Sequence, residues 1–136
     1  MKLLVLSFFI SLGLSANPPQ LISIKNASIK AMPPQSSVSA AYMEINNQGD
    51  EVSLVKVESD LSKNTEMHTV DMSGGKMKMR QVKEINLPSK KSVFLRPGSL
   101  HIMLINLKRD LIKGEKGKIT FTFSNGQYIT ETIAIQ

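Results

Sequence analysis

The residues best suited to chemistry lie in two short stretches of the chain. Residues 66–79 read EMHTVDMSGGKMKM and hold His68 together with four of the protein's eight methionines. The only other histidine, His101, stands in the stretch GSLHIMLINL, two positions before Met103. Imidazole nitrogen and thioether sulfur both bind metal ions, so these stretches are candidates for the two halves of one metal site.

The types of ligand indicate which metal such a site would take. Thioether sulfur is neutral and polarisable, so it suits Cu(I) and binds hard cations poorly. Calcium and magnesium prefer carboxylate oxygens, and structural zinc usually takes cysteine together with histidine. The chain has no cysteine, which excludes a thiolate nucleophile and the Cys ligand of a blue-copper electron carrier. The best candidate for a metal bound here is therefore Cu(I).

Core packing is an equal alternative at this stage. Methionine fills irregular gaps in hydrophobic cores, and a histidine beside apolar residues is more often a hydrogen-bonded structural residue than a ligand. We interpret Met32 and Met43 as core or loop residues and Met67 as packing. Met72 and Met77 are interpreted as packing or as a sulfur-rich rim, with metal binding as the alternative. Residue types alone do not separate a copper site from a packed core.

The pattern along the chain predicts an all-β domain. Short runs of alternating apolar and polar residues are separated by turn residues, and no segment has the period of a helix. In the clearest run Ile119, Phe121 and Phe123 share one face, and the Asn125-Gly126 pair that follows predicts a hairpin turn. Eight or nine short strands indicate a β-sandwich or Greek-key barrel. The predicted strands cover residues 21–31, 38–46, 52–58, 65–71, 76–82, 92–95, 100–107, 118–124 and 128–135.

Strand alternation decides which candidate ligands share a face. Residues 66–79 are predicted to form a hairpin that turns either at the Gly-Gly pair or over a four-residue loop. The first register places His68 opposite Gln81, and the second places it opposite Met79. Both registers put His68 and Met79 on one face, because opposed residues share a face, whereas Met67 points to the other. The shared face also carries Val70, Met72 and Met77.

The second histidine has a methionine on its own strand. His101 and Met103 are two residues apart, so they project from the same face, while Ile102 and its apolar neighbours Leu100 and Leu104 enter the core. The chain thus offers one His/Met pair across a hairpin and one along a strand. If the pairs meet in space, they supply two imidazole nitrogens and two thioether sulfurs, although alternation does not choose among the methionines.

The start of the sequence predicts export. Lys2 precedes the apolar run LLVLSFFISLGL, and Ser15 and Ala16 supply small residues at its end, which is typical of a secretory signal peptide over residues 1–16. The run is 12 residues long, whereas spanning a bilayer takes about 20, so we expect no permanent membrane anchor. The absence of cysteine excludes a lipid anchor of the bacterial lipoprotein type. The remaining residues, 17–136, suit one exported domain.

The charge balance is basic but carries no binding signature. The chain has 17 Lys and Arg against 11 Asp and Glu, a net charge of +6. The lysines are scattered and are not interleaved with aromatic residues, and export separates the protein from nucleic acid, so we expect no nucleic-acid binding. The basic residues are interpreted as a solvated surface, with docking to an acidic partner as the alternative.

The spacing of the candidate ligands carries a family resemblance. The pattern H-x10-M-x21-H-x-M runs from His68 to Met103 and resembles the copper-binding motif of the PCuAC family of periplasmic copper chaperones. The similarity extends over nearly the whole of residues 17–136. The stretches that carry it are AxxKAMPP at 27–34, AAYMEINNQGD at 40–50, GGKMKMRQV at 74–82, LRPGSLHIML at 95–104 and LKRDLIKGEKGKITFTF at 107–123.

The resemblance implies a fold, a cargo and a role. The implied fold is a single cupredoxin-like Greek-key β-sandwich that binds one Cu(I) per chain. The implied role is a chaperone, not an enzyme, that carries copper toward the Cu(A) centre of cytochrome c oxidase and releases it by ligand exchange. The implied partners are a Sco-type thiol copper protein or cytochrome c oxidase subunit II. The implied ligands are His68, Met79, His101 and Met103.

Other functions remain open from the sequence. The His/Met face could be a protein-contact patch of an exported β-sandwich binding module, or the protein could store or detoxify copper. An exported copper enzyme is disfavoured, because two histidines give too few nitrogen ligands for a typical Cu(II) redox site. No acid–base pair stands beside the motif.

Overall fold

The computed structural model describes residues 21–136. The predicted signal peptide, residues 1–16, and the first residues of the predicted domain lie outside the described residues. Within the described part of the chain there are ten β-strands and one short 3-10 turn, Ser73–Gly75. The strands are β1 (Ile22–Ile29), β2 (Val38–Asn47), β3 (Val52–Ser59), β4 (Ser62–Asp71), β5 (Lys78–Val82), β6 (Ile85–Leu87), β7 (Lys91–Leu95), β8 (His101–Leu107), β9 (Lys116–Phe123) and β10 (Tyr128–Ala134).

The strands form two antiparallel sheets. The first sheet has the order β1-β2-β8-β4-β5, and β7 also pairs with β2; the second has the order β10-β9-β3-β6. One apolar core lies between them, because each strand turns alternate side chains inward. On β9, for example, Ile119, Phe121 and Phe123 are buried, whereas the intervening Thr120 and Thr122 are only partly covered. The predicted all-β sandwich with a single domain is confirmed.

Most predicted strands are present, with shifted ends and one omission. Strand β6 was not predicted, because a three-residue run is too short to show alternation; its Ile85 and Leu87 are nevertheless buried against β3. The predicted hairpin between β9 and β10 is confirmed, and Gly126 adopts φ 85° in its turn. Strand β5 begins at Lys78, two residues later than predicted, because residues 72–77 form the hairpin loop.

Strands β7 and β8 lie one after the other along the same edge of β2. Leu95 pairs with Met43, and the next paired residue on that edge is Ile102, opposite Ala41. The intervening residues 96–101 therefore form an insertion between two parts of one continuous ladder. The insertion is closed by hydrogen bonds from the Arg96 amide to the Leu100 carbonyl (2.9 Å) and from the Ser99 amide to the Arg96 carbonyl (3.1 Å). This loop ends at the histidine that begins β8.

A buried asparagine ties the sheets together at the turn after β2. Asn47 is 1% exposed, and its Nδ2 donates to the carbonyls of Asp50 (2.8 Å) and Leu87 (3.0 Å). Its Oδ1 accepts from the amide of Gly49 (2.9 Å). Since Leu87 belongs to the second sheet, one side chain fixes both the turn and the position of β6.

Candidate metal centre

The fold brings the two histidines face to face. In the ladder between β4 and β8, His68 lies directly opposite His101. Their ring centroids are 5.8 Å apart and the ring planes are inclined by 42°. Opposed residues project from the same face of a sheet, so the two imidazoles, separated in sequence, share one site on the outer face of the first sheet.

One nitrogen of each ring is held by the protein. His101 Nδ1 lies 2.9 Å from the carbonyl oxygen of Ser99, and His68 Nε2 lies 2.7 Å from Oε2 of Glu66. A carbonyl or carboxylate oxygen only accepts, so each of these nitrogens carries the proton and donates it. In the neutral rings the lone pairs are therefore on His68 Nδ1 and His101 Nε2. These are the atoms available to bind a metal ion.

The two remaining nitrogens are buried and have no hydrogen-bond partner in the described part of the protein. These atoms are His68 Nδ1 and His101 Nε2. Buried polar side-chain atoms are normally paired, and an unpaired one calls for a physical reason. A soft metal ion bound between the rings would supply the missing interaction to both atoms, so the donor set fits Cu(I).

The methionines predicted as ligands lie on either side of the histidines on the same face. Met103 is two residues from His101 on β8, is half-buried, and faces Glu66 across the ladder. Met79 on β5 faces Val70, which places it diagonally across from His68. Met79 is 61% exposed. The structure therefore places all four predicted ligands on one sheet face.

The pairing of β4 with β5 decides between the two registers. His68 faces Gln81 and Asp71 faces Lys78, so the register that turns at the Gly-Gly pair is the one adopted. Gly74 and Gly75 both have positive φ, 75° and 73°. The expectation that His68 and Met79 share a face holds in this register.

The other methionines fall outside this arrangement. Met67 is 5% exposed and Met43 is 3% exposed, and both belong to the core, as predicted. Met32 is partly buried in the segment after β1. Met72 and Met77 are 61% and 66% exposed at the two ends of the hairpin loop, which agrees with a sulfur-rich rim and not with packing.

Three neighbours of the histidines were missed by the sequence analysis. The ring centroid of Tyr42 lies 6.5 Å from that of His101. His101 is on the outer face of the sheet but is only 3% exposed, because Tyr42 and His68 cover it. Glu66 holds His68, and the carbonyl of Ser99 holds His101. Alternation could have found Glu66, two residues before His68. A backbone carbonyl such as that of Ser99 gives no sequence signal.

The described residues offer no conventional site for a hard cation. Between residues 21 and 136 there is no group of three or more His, Cys, Asp or Glu side chains that could hold a metal ion. Two imidazoles alone rarely hold zinc, which is normally four-coordinate. A metal site built on these histidines therefore needs the thioethers.

Between residues 21 and 136, no helix is long and apolar enough to cross a membrane.

Comparison with known proteins assigns the family. The model of the LpqE-like family, described as putative lipoprotein LpqE-like, matches residues 22–135. The chain therefore belongs to the LpqE-like family. Among curated proteins it is similar to the putative lipoprotein Lxx21020 from Leifsonia xyli subsp. xyli, at 28% identity over 84% of this chain and 68% of that protein.

Solved structures with the same fold are PCuAC domains. The copper-bound PCuAC domain from PmoF2 matches with a TM-score of 0.72 at 20% identity, over 85% of this chain and 92% of the domain. The structure of CuI-DR1885 from Deinococcus radiodurans matches with a TM-score of 0.68 at 28% identity, over 92% and 83% of the two chains. The apo form of DR1885 gives a TM-score of 0.67. The expected cupredoxin-like sandwich of PCuAC domains is thereby confirmed.

Proposed function

We propose that this protein is an exported, non-enzymatic carrier of one Cu(I) ion. The observation that carries the proposal is the pair of facing imidazoles, each with a buried nitrogen that has no partner within residues 21–136. The ligands are His68 Nδ1, His101 Nε2 and the sulfurs of Met79 and Met103. Imidazole and thioether together match the preference of Cu(I) for soft, neutral ligands.

The comparisons support the choice of metal. CuI-DR1885 is 28% identical to this chain, and the copper-bound PCuAC domain from PmoF2 has the same fold. The spacing H-x10-M-x21-H-x-M, which resembles the PCuAC copper motif, selects Met79 from the four methionines of residues 66–79. Export is supported by the signal-like residues 1–16 and by the description of the family as putative lipoproteins.

The arrangement suits a carrier that releases its cargo. His101 is buried, His68 is mostly covered, and both are held by hydrogen bonds, whereas Met79 is mostly exposed on an edge strand. Neutral thioethers hold Cu(I) less firmly than thiolates, so a partner with Cys sulfurs can replace Met79 first and then draw the ion away by ligand exchange. We propose delivery toward the Cu(A) centre of cytochrome c oxidase, through a Sco-type thiol protein or directly to subunit II.

An anaerobic titration with Cu(I) against a competing chelator tests the assignment. The protein is expected to take one equivalent, with nitrogen and sulfur neighbours visible by X-ray absorption spectroscopy. Met79→Leu and Met103→Leu each remove one sulfur and are expected to weaken binding by about tenfold or more, since each 1.4 kcal/mol is a factor of ten. Met77→Leu is the matched control, because Met77 is equally exposed in the same hairpin. Failure to bind one equivalent, or equal losses in Met77→Leu and Met79→Leu, would contradict the assignment.

A second candidate is a binding module that uses this face as a contact patch. The exposed side chains of Met79 and Phe94, 61% and 43% exposed, favour it, and the guanidinium of Arg96 lies 4.2 Å above the Phe94 ring. Such a module would keep its partner when His68 is replaced by Ala. Storage or detoxification would instead show Cu(I) binding without transfer to a thiol protein, which a transfer assay with the loaded protein measures.

A further inference from the structure

We propose that Glu66 is a positioning residue of the copper site, which orients His68 so that it binds through Nδ1. The inference rests on the proposed function and deepens it. It makes the two histidines chemically unequal, because His101 would bind through Nε2. Neither the motif nor its spacing distinguishes the two ring nitrogens.

The contact between Glu66 and His68 is short and shielded. Oε2 of Glu66 lies 2.7 Å from Nε2 of His68, and the two side chains are 31% and 14% exposed. The residues are two apart on β4, so they project from the same face. In this partly covered position a charge-assisted hydrogen bond is shorter and stronger than a neutral one. The carboxylate therefore restrains both the tautomer and the rotation of the His68 ring.

The restraint determines which atom faces the site. A carboxylate oxygen accepts the Nε2 proton, so the lone pair of the neutral ring is on Nδ1, the buried atom without a partner in the described residues. His101 is held the other way round, because the Ser99 carbonyl accepts from its Nδ1. Metal-binding histidines commonly donate their second N–H to a carboxylate or carbonyl, and these two histidines use one of each.

Glu66 also places a negative charge beside the site. The four proposed ligands are neutral, so a bound Cu(I) keeps its positive charge. Glu66 faces Met103 across the ladder between β4 and β8, and its carboxylate contacts His68. A negative charge at this position favours the cation without coordinating it. The backbone carbonyl at His101 supplies no such charge, so the two supports are not equivalent.

The test compares Glu66→Gln and Glu66→Ala with the unchanged protein, each loaded with Cu(I). Imidazole 15N NMR identifies the ligating nitrogen of each histidine, and the chelator titration gives the affinity. In the unchanged protein we expect His68 to bind through Nδ1 and His101 through Nε2. Glu66→Ala should lower the affinity about 10- to 100-fold and allow Nε2 of His68 to bind. Glu66→Gln, whose amide oxygen still accepts a hydrogen bond, should keep Nδ1 binding and recover part of the affinity.

The controls separate positioning from general loss of structure. His101 is an internal control, because its support is a backbone carbonyl and its ligating nitrogen should stay Nε2 in every variant. Glu44→Ala removes another half-buried carboxylate from the same face of the first sheet and should change neither readout. If Glu66→Ala keeps Nδ1 binding at unchanged affinity, the positioning role is wrong while the carrier assignment stands. If the unchanged protein does not bind Cu(I), both are wrong.

Discussion

At the scale of single residues, the candidate site contains two buried imidazole nitrogens that have no hydrogen-bond partner among the described residues. A buried nitrogen without a partner costs about 1–3 kcal/mol, and His68 and His101 each contain one. Their other nitrogens are fixed, so the rings are not free to rotate toward solvent and satisfy the unpaired atoms. The two histidines are therefore held in place by hydrogen bonds, whereas the side chain of Met79 is mostly exposed.

A titratable residue of the same hairpin should make its loop sensitive to acid. The Ser73 amide donates to Oδ1 of Asp71 at 2.9 Å, and this bond, with the Ser73 hydroxyl and the nearby Arg80, holds the pKa of Asp71 below its usual value. Because the pKa is lower in the folded state, the carboxylate stabilises the loop at pH values above its unfolded pKa, about 3.9. That contribution is lost as the pH falls through the folded pKa.

The Ser73 amide reports this change directly. We expect its NMR shift and its protection from exchange to follow the Asp71 carboxyl, with a midpoint below the ordinary aspartate range. Asp71→Asn should remove the acid-dependent step, since the amide side chain does not titrate in this range. A midpoint at or above the usual aspartate value would show that the Ser73 contact does not favour the charged form.

At the scale of elements, two departures from regular pairing shape the site. The insertion between β7 and β8 places the Ser99 carbonyl beside His101 and leaves Tyr42 opposite the interruption, next to the same ring. The β4–β5 hairpin extends the first sheet by one edge strand and carries Met79 at its exposed end. The central strands β4 and β8 thus carry the two hydrogen-bonded histidines, and the edge strand carries the exposed Met79.

The turn after β2 gives a stability prediction for the elements. Asn47→Ala should destabilise the protein by about 1–3 kcal/mol, because the buried carbonyl of Leu87 loses its side-chain donor. Asn86→Ala is the matched control, since Asn86 is exposed on β6, and should change the unfolding free energy by less than about 0.5 kcal/mol. Urea unfolding measures both. Equal effects of the two substitutions would mean that the Asn47 contacts do not stabilise the turn.

At the scale of the whole molecule, the candidate site combines two inner strands of the first sheet, β4 and β8, with the edge strand β5. The inner face of the first sheet belongs to the core, with Ile102 and Leu104 fully buried directly behind the outer face that carries His101 and Met103. Packing of Ile102 and Leu104 in the core therefore fixes the part of β8 that carries the proposed ligands His101 and Met103. Binding of an ion across β4, β5 and β8 should in turn stabilise the folded state.

The coupling of binding to folding is measurable. At free Cu(I) one hundred times the dissociation constant, binding to the folded state alone should add about 2.7 kcal/mol to the unfolding free energy. His101→Ala should abolish this increment, because it removes a ligand, whereas Met77→Leu should retain it. Thermal or chemical unfolding under anaerobic conditions gives the values. An increment that persists in His101→Ala would place the bound copper elsewhere.

The local features of this protein are specified by short stretches of its sequence. Side-chain direction along a strand alternates with period two, so the core positions of Ile102 and Met67 and the shared face of His101 and Met103 follow from the residues alone. The hairpin at Asn125-Gly126 is equally local. The resemblance in spacing added the choice of Met79, which no local rule makes.

Other features depend on contacts between distant segments and are visible only in the folded protein. His68 lies opposite His101 because β4 pairs with β8, although the two histidines are more than thirty residues apart in the sequence. The sequence does not specify this pairing, because many registers satisfy the same alternation of side chains. The contact of Ser99 with His101 depends on the path of the loop between β7 and β8. Alternation places Glu66 on the face of His68, but only the folded sheet shows its carboxylate bound to Nε2 and so leaves Nδ1 facing the site.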